Sequence, residues 1–397
     1  MNSWKTIEDV HVAGRRVLTR LDINVPIENG KVSDDTRIRM SGDTVSDITR
    51  RGGIPVIMSH MGRPNGRPET NTSLGQLVPV LEHVFGMPVN FCPETVGPIA
   101  EAKTKECRNG ELCLIENLRF NPGETNNDAG FAAKLARLGE VYCNDAFSAS
   151  HRAHASIVGV AELLPAFAGR QLERELHALE AALGSPHRPV IAIVGGSKIS
   201  TKLAVLENLV TKVDKLVVGG AMANTFLLAK GFKIGRSLVE RKMIPAATSV
   251  MKAADKRGCH LILPEDIVVS RELKVDADAT TVAADACPDD MIILDAGANS
   301  TRRIVDAIAG CRTLIWNGPV GAFEMRPFDM ATNAIAGAAA TLTEAGSLTS
   351  VAGGGDTAFA LGRSGTTDAF TFVSTAGGAF LEWMEGRNLP GLEALAG

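Results

Sequence analysis

The segment VIAIVGGSKISTKLAVLENLV, Val190 to Val210, decides the fold class. Val190 to Val194 is a short run of purely apolar residues, which predicts a strand buried on both faces. Two glycines end it, and from Leu203 the apolar spacing becomes helical. The same succession of apolar run, glycine or polar loop and amphipathic stretch recurs along the chain. Strands are expected at Val17 to Leu21, Pro55 to Met58, Leu112 to Ile115 and Val141 to Asn144 in the first half. In the second half they are expected at Lys215 to Val218, His260 to Leu263, Met291 to Leu294, Thr313 to Trp316 and Ser347 to Val351. Leu74 to Phe85, Leu203 to Val210 and Thr301 to Ile308 read as helices, and so does Ala331 to Ala345. Strands alternating with helices imply an α/β chain with parallel sheets covered on both faces. In such sheets ligands bind in the loops after the strand ends.

The 397 residues suggest two domains. A polar, helix-forming stretch starts at Arg170 and stops at Gly184-Ser185-Pro186, so the boundary is placed after Gly169. At net charge −4, with 22% charged and 45% hydrophobic residues, a general nucleic-acid or membrane-binding surface is not expected; anion binding must be local. The start MNSWKTIEDV does not read as a signal peptide, and no apolar run reaches the ~18 residues of a spanning helix. Seven dispersed cysteines without a CxxC pair suggest reduced thiols and a cytoplasmic setting.

In the first half, basic residues follow successive strands. Asp22 and Asn24 follow the first, with Arg37 on a helical turn nearby. His60-Met61-Gly62-Arg63, then Arg119, then His151, Arg152 and His154 follow the next three. One loop arginine is ordinarily a solvated surface charge. A set carried on neighbouring strand ends suits a small, doubly anionic, hydroxylated ligand, because guanidinium forks match phosphate and carboxylate oxygens. His151 is read as structural.

In the second half the strand ends carry glycines: Gly195-Gly196-Ser197-Lys198, Gly219-Gly220, Asn317-Gly318-Pro319 and Gly353-Gly354-Gly355-Asp356-Thr357. Glycine admits a ligand to backbone amides, and helix N-termini favour anions. Lys198 and Lys202, four apart, are expected on one side of a starting helix. Asp356 is the clearest carboxylate for Mg²⁺ on a nucleotide. No dinucleotide GxGxxG or GxxxxGK[ST] loop occurs. The residues alone leave open a non-catalytic anion-binding protein and a kinase of some other small carboxylate.

Taken in order, RLDINVP (20–26), HMGRP (60–64), ENLRF (116–120), NDAF with HRAH (144–154), GGSK (195–198), WNGPVG (316–321) and GGGDT (353–357) closely resemble the phosphoglycerate kinase family, bacterial type. The resemblance covers nearly the whole chain. It implies two Rossmann-like, three-layer α/β domains with parallel sheets, joined by a helix and separated by a cleft. They would be residues 1–169 for phosphoglycerate and 170–380 for Mg-ADP or Mg-ATP, with the segment from about Leu381 returning to the first. It implies a monomeric phosphotransferase with a carboxyl group as acceptor. After hinge-bending closure it would move the acyl phosphate of 1,3-bisphosphoglycerate in line to ADP, giving ATP and 3-phosphoglycerate. It assigns Asp22, Asn24, Arg37, His60, Met61, Gly62, Arg63, Arg119 and Arg152 to the phosphoglycerate. To the nucleotide it assigns Gly195, Lys202, Gly219, Asn317, Pro319, Glu324, Gly354, Gly355, Asp356 and Thr357, with Asp356 on Mg²⁺. Arg37, Lys198, Gly355 and Gly377 become the catalytic set. Two departures are visible. Ser148-Ala149-Ser150 stands where the family usually has Gly-Thr-Ala, and Ala376 stands where it usually has glycine. Neither is expected to touch a side chain assigned to chemistry.

Overall fold

A computed structural model describes residues 4–28 and 30–396. The chain divides into two compact units, one running to Leu176 and including the segment from Asn388, the other spanning His177–Arg387.

The first unit is built on a parallel six-stranded sheet. Its spatial order is Val89–Cys92, Leu112–Ile115, Ile54–Met58, Arg16–Leu21, Val141–Asp145, Ala166–Ala168. Val17, Leu18 and Leu21 are fully buried. Burying each is worth roughly 1.5–3 kcal/mol, which is enough to hold this strand in the middle of the sheet. Leu21 lies beside Asp145 in the register, so the loops after these two strands start side by side. The chain runs outward from Arg16–Leu21 in one direction and later returns to its other side, which makes this the switch point of the sheet.

The second unit also has a six-stranded parallel sheet, in a different strand order. Its six parallel strands are ordered His260–Ile262, Lys215–Val218, Val190–Val194, Thr313–Asn317, Thr349–Gly353, Phe372–Ser374. Val190 to Val194 is completely buried, as its composition demands. Helices Ala298–Ala309 and Met330–Glu344 pack on one another and close one core with Ile304, Ile308, Ile335 and Ala339. The switch point lies between Val190–Val194 and Thr313–Asn317, which are paired in parallel.

Besides the two parallel sheets there are antiparallel pairings, the small hairpin Ile27–Glu28 with Lys31–Val32 among them. The expected strand at Met291 to Leu294 is Ile292–Ala296, and it pairs antiparallel with Asp266–Ser270 in a separate three-stranded sheet with Ala279–Ala283. Ala279–Ala283 is mostly exposed, so it carried no apolar run to announce it. The helix expected from Arg170 runs Arg170–Leu179 and continues as a π turn to Gly184. Its first turn is held by Asp145, whose Oδ1 accepts from the amides of Gln171 (2.9 Å) and Leu172 (3.0 Å). The division between the units falls inside this helix rather than before it. Helix Gly377–Met384 stays in the second unit, where it packs on Leu203–Leu209 and Asn208 Nδ2 donates to Met384 O at 2.7 Å. Pro390–Glu393 belongs to the first unit and packs on Phe147–Ser150.

Candidate active site

Each unit gathers sequence-predicted site residues at its own switch point. In the first unit the site is made of side chains. Arg37, on the helical turn Thr36–Met40, donates through Nη1 to Asp22 Oδ2 (3.1 Å) and Asn24 O (3.2 Å). Asn24 Oδ1 accepts from Gly62 N at 3.1 Å, and Arg119 Nη1 donates to Gly62 O at 2.7 Å. These bonds tie three strand-end loops to each other. Beside them a cavity of about 370 Å³ is lined by Arg63, Arg119 and Arg152 with Asn65, Gly66, Asn121, Pro122 and Thr125.

The cavity is strongly electropositive. Burial first, then the charges of Arg152 and Arg20, push Arg119 down to about 10. Burial likewise lowers His60 well below its usual value, helped by Arg20 and Arg119. Arg20 Nη2 lies 2.9 Å from His60 Nδ1. A guanidinium only donates, so Nδ1 accepts and the proton of the neutral ring sits on Nε2. A bound anion would oppose both shifts.

The residues behind this cluster were not legible. Arg20 is buried in a strand and donates to Leu21 O and to Ser156 Oγ (3.1 Å). Glu124 is wholly buried and accepts from Ser156 Oγ at 2.6 Å and Ser156 N at 3.0 Å. Burial raises its pKa, but the neighbouring His154 and the Arg20 charge outweigh that and hold it below the usual range. His154 therefore turns to Glu124, at 3.6 Å, rather than to the cavity. Met61 is buried among core residues, and its carbonyl accepts from Asn117 Nδ2 at 2.8 Å; it does not line the cavity. An arginine inside an apolar strand was the one available signal for this layer.

In the second unit the site is made of backbone. Gly195 N donates to Asn317 O at 2.9 Å, so the two strand-end loops lie against one another. A Cβ on Gly195 would stand 1.9 Å from Pro319 O, so only glycine permits the approach. Asn317 Nδ2 donates to Gly353 O (2.7 Å), and Thr357 Oγ1 accepts from Gly318 N (2.7 Å) and donates to Gly353 O (2.9 Å). Gly354, at φ +98°, caps helix Gly355–Arg363, and exposed Asp356 is in the first turn. A Cβ on Gly377 would be 3.8 Å from Gly354 Cα, so the N-termini of helices Gly355–Arg363 and Gly377–Met384 abut. Their unpaired amides make a positive cradle. Next to it a cavity of about 420 Å³ is bounded by Gly196, Gly220, Leu238, Pro319, Phe323, Glu324 and Asp356. Gly219 abuts Val320 behind it.

Lys198 and Lys202 do not share a helix face. Lys198 is exposed, on extended backbone (φ −136°, ψ 127°) before the 3₁₀ turn Ile199–Thr201, and Lys202 follows that turn. The glycine loop leaves the strand extended, which delays the α-helix to Leu203. Lys202 folds back, donating from Nζ to Gly195 O (2.5 Å) and Asn317 O (3.2 Å). Burial lowers it to about 8 against the pull of Asp356.

The phosphoglycerate kinase family model matches residues 7–387. The chain belongs to the phosphoglycerate kinase family. It is 56% identical over 392 residues to the phosphoglycerate kinase of Ruegeria sp. (strain TM1040), with 99% of each chain covered. It is 53% identical to that of Cereibacter sphaeroides (strain ATCC 17029 / ATH 2.4.9), again over 99% of each. Among solved structures it is similar to phosphoglycerate kinase from Coxiella burnetii, with TM-score 0.91 and 39% identity over 99% of this chain and 98% of that one. The Pyrococcus horikoshii OT3 phosphoglycerate kinase gives TM-score 0.79 at 28% identity, covering 98% of both chains.

The two departures from the family pattern come out differently. Ala376 has φ −93°, which any residue adopts, so the loss of glycine there costs no strain. Ser148 overturns the expectation that it touches no assigned side chain: its Oγ donates to Asp22 Oδ2 at 2.5 Å. The cause is the register, which starts the loop after Asp145 beside Leu21 and carries position 148 over the carboxylate.

Proposed function

We propose that the chain is a phosphoglycerate kinase in which the arginine-lined site of the first unit takes 3-phosphoglycerate or 1,3-bisphosphoglycerate. The glycine-lined site of the second unit takes ADP or ATP. The observation that carries this reading is the pair of anion sites at two switch points, one of guanidinium groups and one of helix N-terminal amides. Arg63, Arg119 and Arg152 suit the terminal phosphate, and Asp22 and Asn24 the hydroxyl and carboxyl end.

Donor and acceptor in this reaction are both already ionised, so no general base is required, and positioning and charge stabilisation carry the catalysis. Arg37 and Lys198 supply cations to the phosphoryl group in flight. Amides of Gly355 and Gly377 donate to its oxygens or to the adjacent phosphate. Transfer requires the two ligands to meet, which we assign to domain closure. Among the described residues no cluster of three or more His, Cys, Asp or Glu could hold a metal. A single carboxylate fits Mg²⁺ that arrives on the nucleotide and keeps phosphate and water ligands. Asp356 would hold it, where it neutralises phosphate charge. The seven buried free thiols support a cytoplasmic setting. The family resemblance supports a monomer, and no helix among the described residues is long and apolar enough to cross a membrane.

A coupled assay with 3-phosphoglycerate, ATP and Mg²⁺ tests the reading. Turnover that needs all three is expected; nucleotide binding without turnover would leave only an anion-binding protein.

A further inference from the structure

We propose that Ser148 is a positioning residue for the phosphoglycerate site: its hydroxyl holds the Asp22 carboxylate in place when Arg37 leaves it for the phosphoryl group. The proposal rests on the reading that Asp22 meets the substrate hydroxyl and Arg37 the transferring group.

Asp22 Oδ2 receives both Ser148 Oγ, at 2.5 Å, and Arg37 Nη1, at 3.1 Å, while among the described residues Oδ1 has the long 3.3 Å contact from Asn24 N alone. The carboxylate side chain is 14% exposed, so water offers little replacement for a lost donor. Arg37 is 34% exposed and carried on a short helical turn, so it is the partner that can move. Ser148 cannot follow it. The turn Phe147–Ser150 is anchored by Asn144 Nδ2 to Ser150 Oγ (3.2 Å) and by Ser150 Oγ to Ala146 O (3.0 Å). Gly391 also packs directly on Ser150. A fixed hydroxyl on Oδ2 leaves Oδ1 facing the ligand and lowers the cost of separating the Asp22–Arg37 pair.

A hydrogen bond to a charged group is worth roughly a tenfold change in an equilibrium constant. Ser148→Ala is expected to raise KM for 3-phosphoglycerate about five- to tenfold and leave KM for ATP and the melting temperature unchanged. Ser148→Thr, which keeps the hydroxyl, is expected to restore KM to within about twofold. In an Asp22→Asn background, Ser148→Ala should add less than about twofold, because the partner charge is gone. A phosphoglycerate KM within twofold of the unsubstituted enzyme in Ser148→Ala overturns the proposal. So does an equal rise in both KM values, or failure of Ser148→Thr to restore. No turnover in the unsubstituted enzyme is a separate result: it removes the functional reading and this proposal with it.

Discussion

The two units both have a six-stranded parallel sheet, in different strand orders, and the anion sites proposed for them use different materials. In the first, the charge is on side chains: Arg37 is on a short helical turn, Arg63, Arg119 and Arg152 line a cavity, and Arg20, Ser156 and Glu124 form a buried hydrogen-bonded chain in the same unit. In the second, most of the charge is on the backbone. Loops after Val194, Asn317 and Gly353 touch, and two helix N-termini abut at Gly354 and Gly377. The difference suits the ligands. A small ligand with a phosphate at one end needs directional forks spread around it. A polyphosphate chain needs a row of amides that it can approach closely. The two sites should therefore fail in opposite ways. The first breaks when a charge is removed, and the second when an atom is added.

Truncating the Arg37 cation should have the largest effect. Arg37→Ala is expected to lower kcat on the order of a thousandfold while ADP affinity changes less than about twofold, measured by steady-state kinetics and calorimetry. Near-normal kcat would remove Arg37 from the chemistry.

Next comes the added atom. Gly195→Ala forces a methyl to within 1.9 Å of Pro319 O, so the two strand-end loops must part. A loss of about 2 kcal/mol or more in urea-derived stability is expected, with nucleotide binding falling at least tenfold. Unchanged urea midpoint and nucleotide affinity would show that the loops need no close approach.

A smaller effect follows from Lys202. Its folded pKa is lowered to about 8, so the free enzyme loses this charge as pH rises through 8. Bound phosphates favour the charged form, so nucleotide binding should take up close to one proton near pH 9. Affinity should then weaken by up to about tenfold per pH unit above 8. The folding contribution has the same origin. A lysine lowered on folding binds fewer protons in the native state, so its cost to stability is present below pH 8 and fades toward the unfolded value of 10.5. Calorimetry in buffers of different ionisation enthalpy measures the uptake; none at pH 9 would contradict the assignment.

The smallest effect is expected at Ala376. With φ −93° the backbone does not need glycine, so Ala376→Gly should change kcat and both KM values less than about twofold. It should cost a few tenths to 1 kcal/mol through unfolded-state entropy. A large gain in activity would show that the family's usual glycine matters for closure rather than conformation.

The contrast between the units also explains what could be read from the sequence. Glycine positions in the second site were legible because close approach and positive φ leave a residue-type mark, as at Gly195 and Gly354. The arginines of the first were legible because they recur after strands. Their support was not: nothing local distinguishes Glu124, which is wholly buried under His154 and Ser156, from a surface glutamate. Ser148 looked neutral because its partner is 126 residues away and is reached only through the sheet register. The four-residue spacing of Lys198 and Lys202 misled because it presumes a helix, whereas the backbone at Lys198 is still extended. Strands Val89–Cys92, Ala166–Ala168 and Phe372–Ser374 escaped notice because they are short edge strands without long apolar runs.

The central claim is that the two ligands have separate sites, one of side-chain charge and one of backbone. The most direct test is calorimetric titration of Arg119→Ala, first with 3-phosphoglycerate and then with Mg-ADP. Arg119 lines the first cavity and donates to Gly62 O in its own unit. The expected result is a loss of at least tenfold in phosphoglycerate affinity with Mg-ADP affinity unchanged. Equal losses for both ligands, or a loss for Mg-ADP alone, would contradict the assignment.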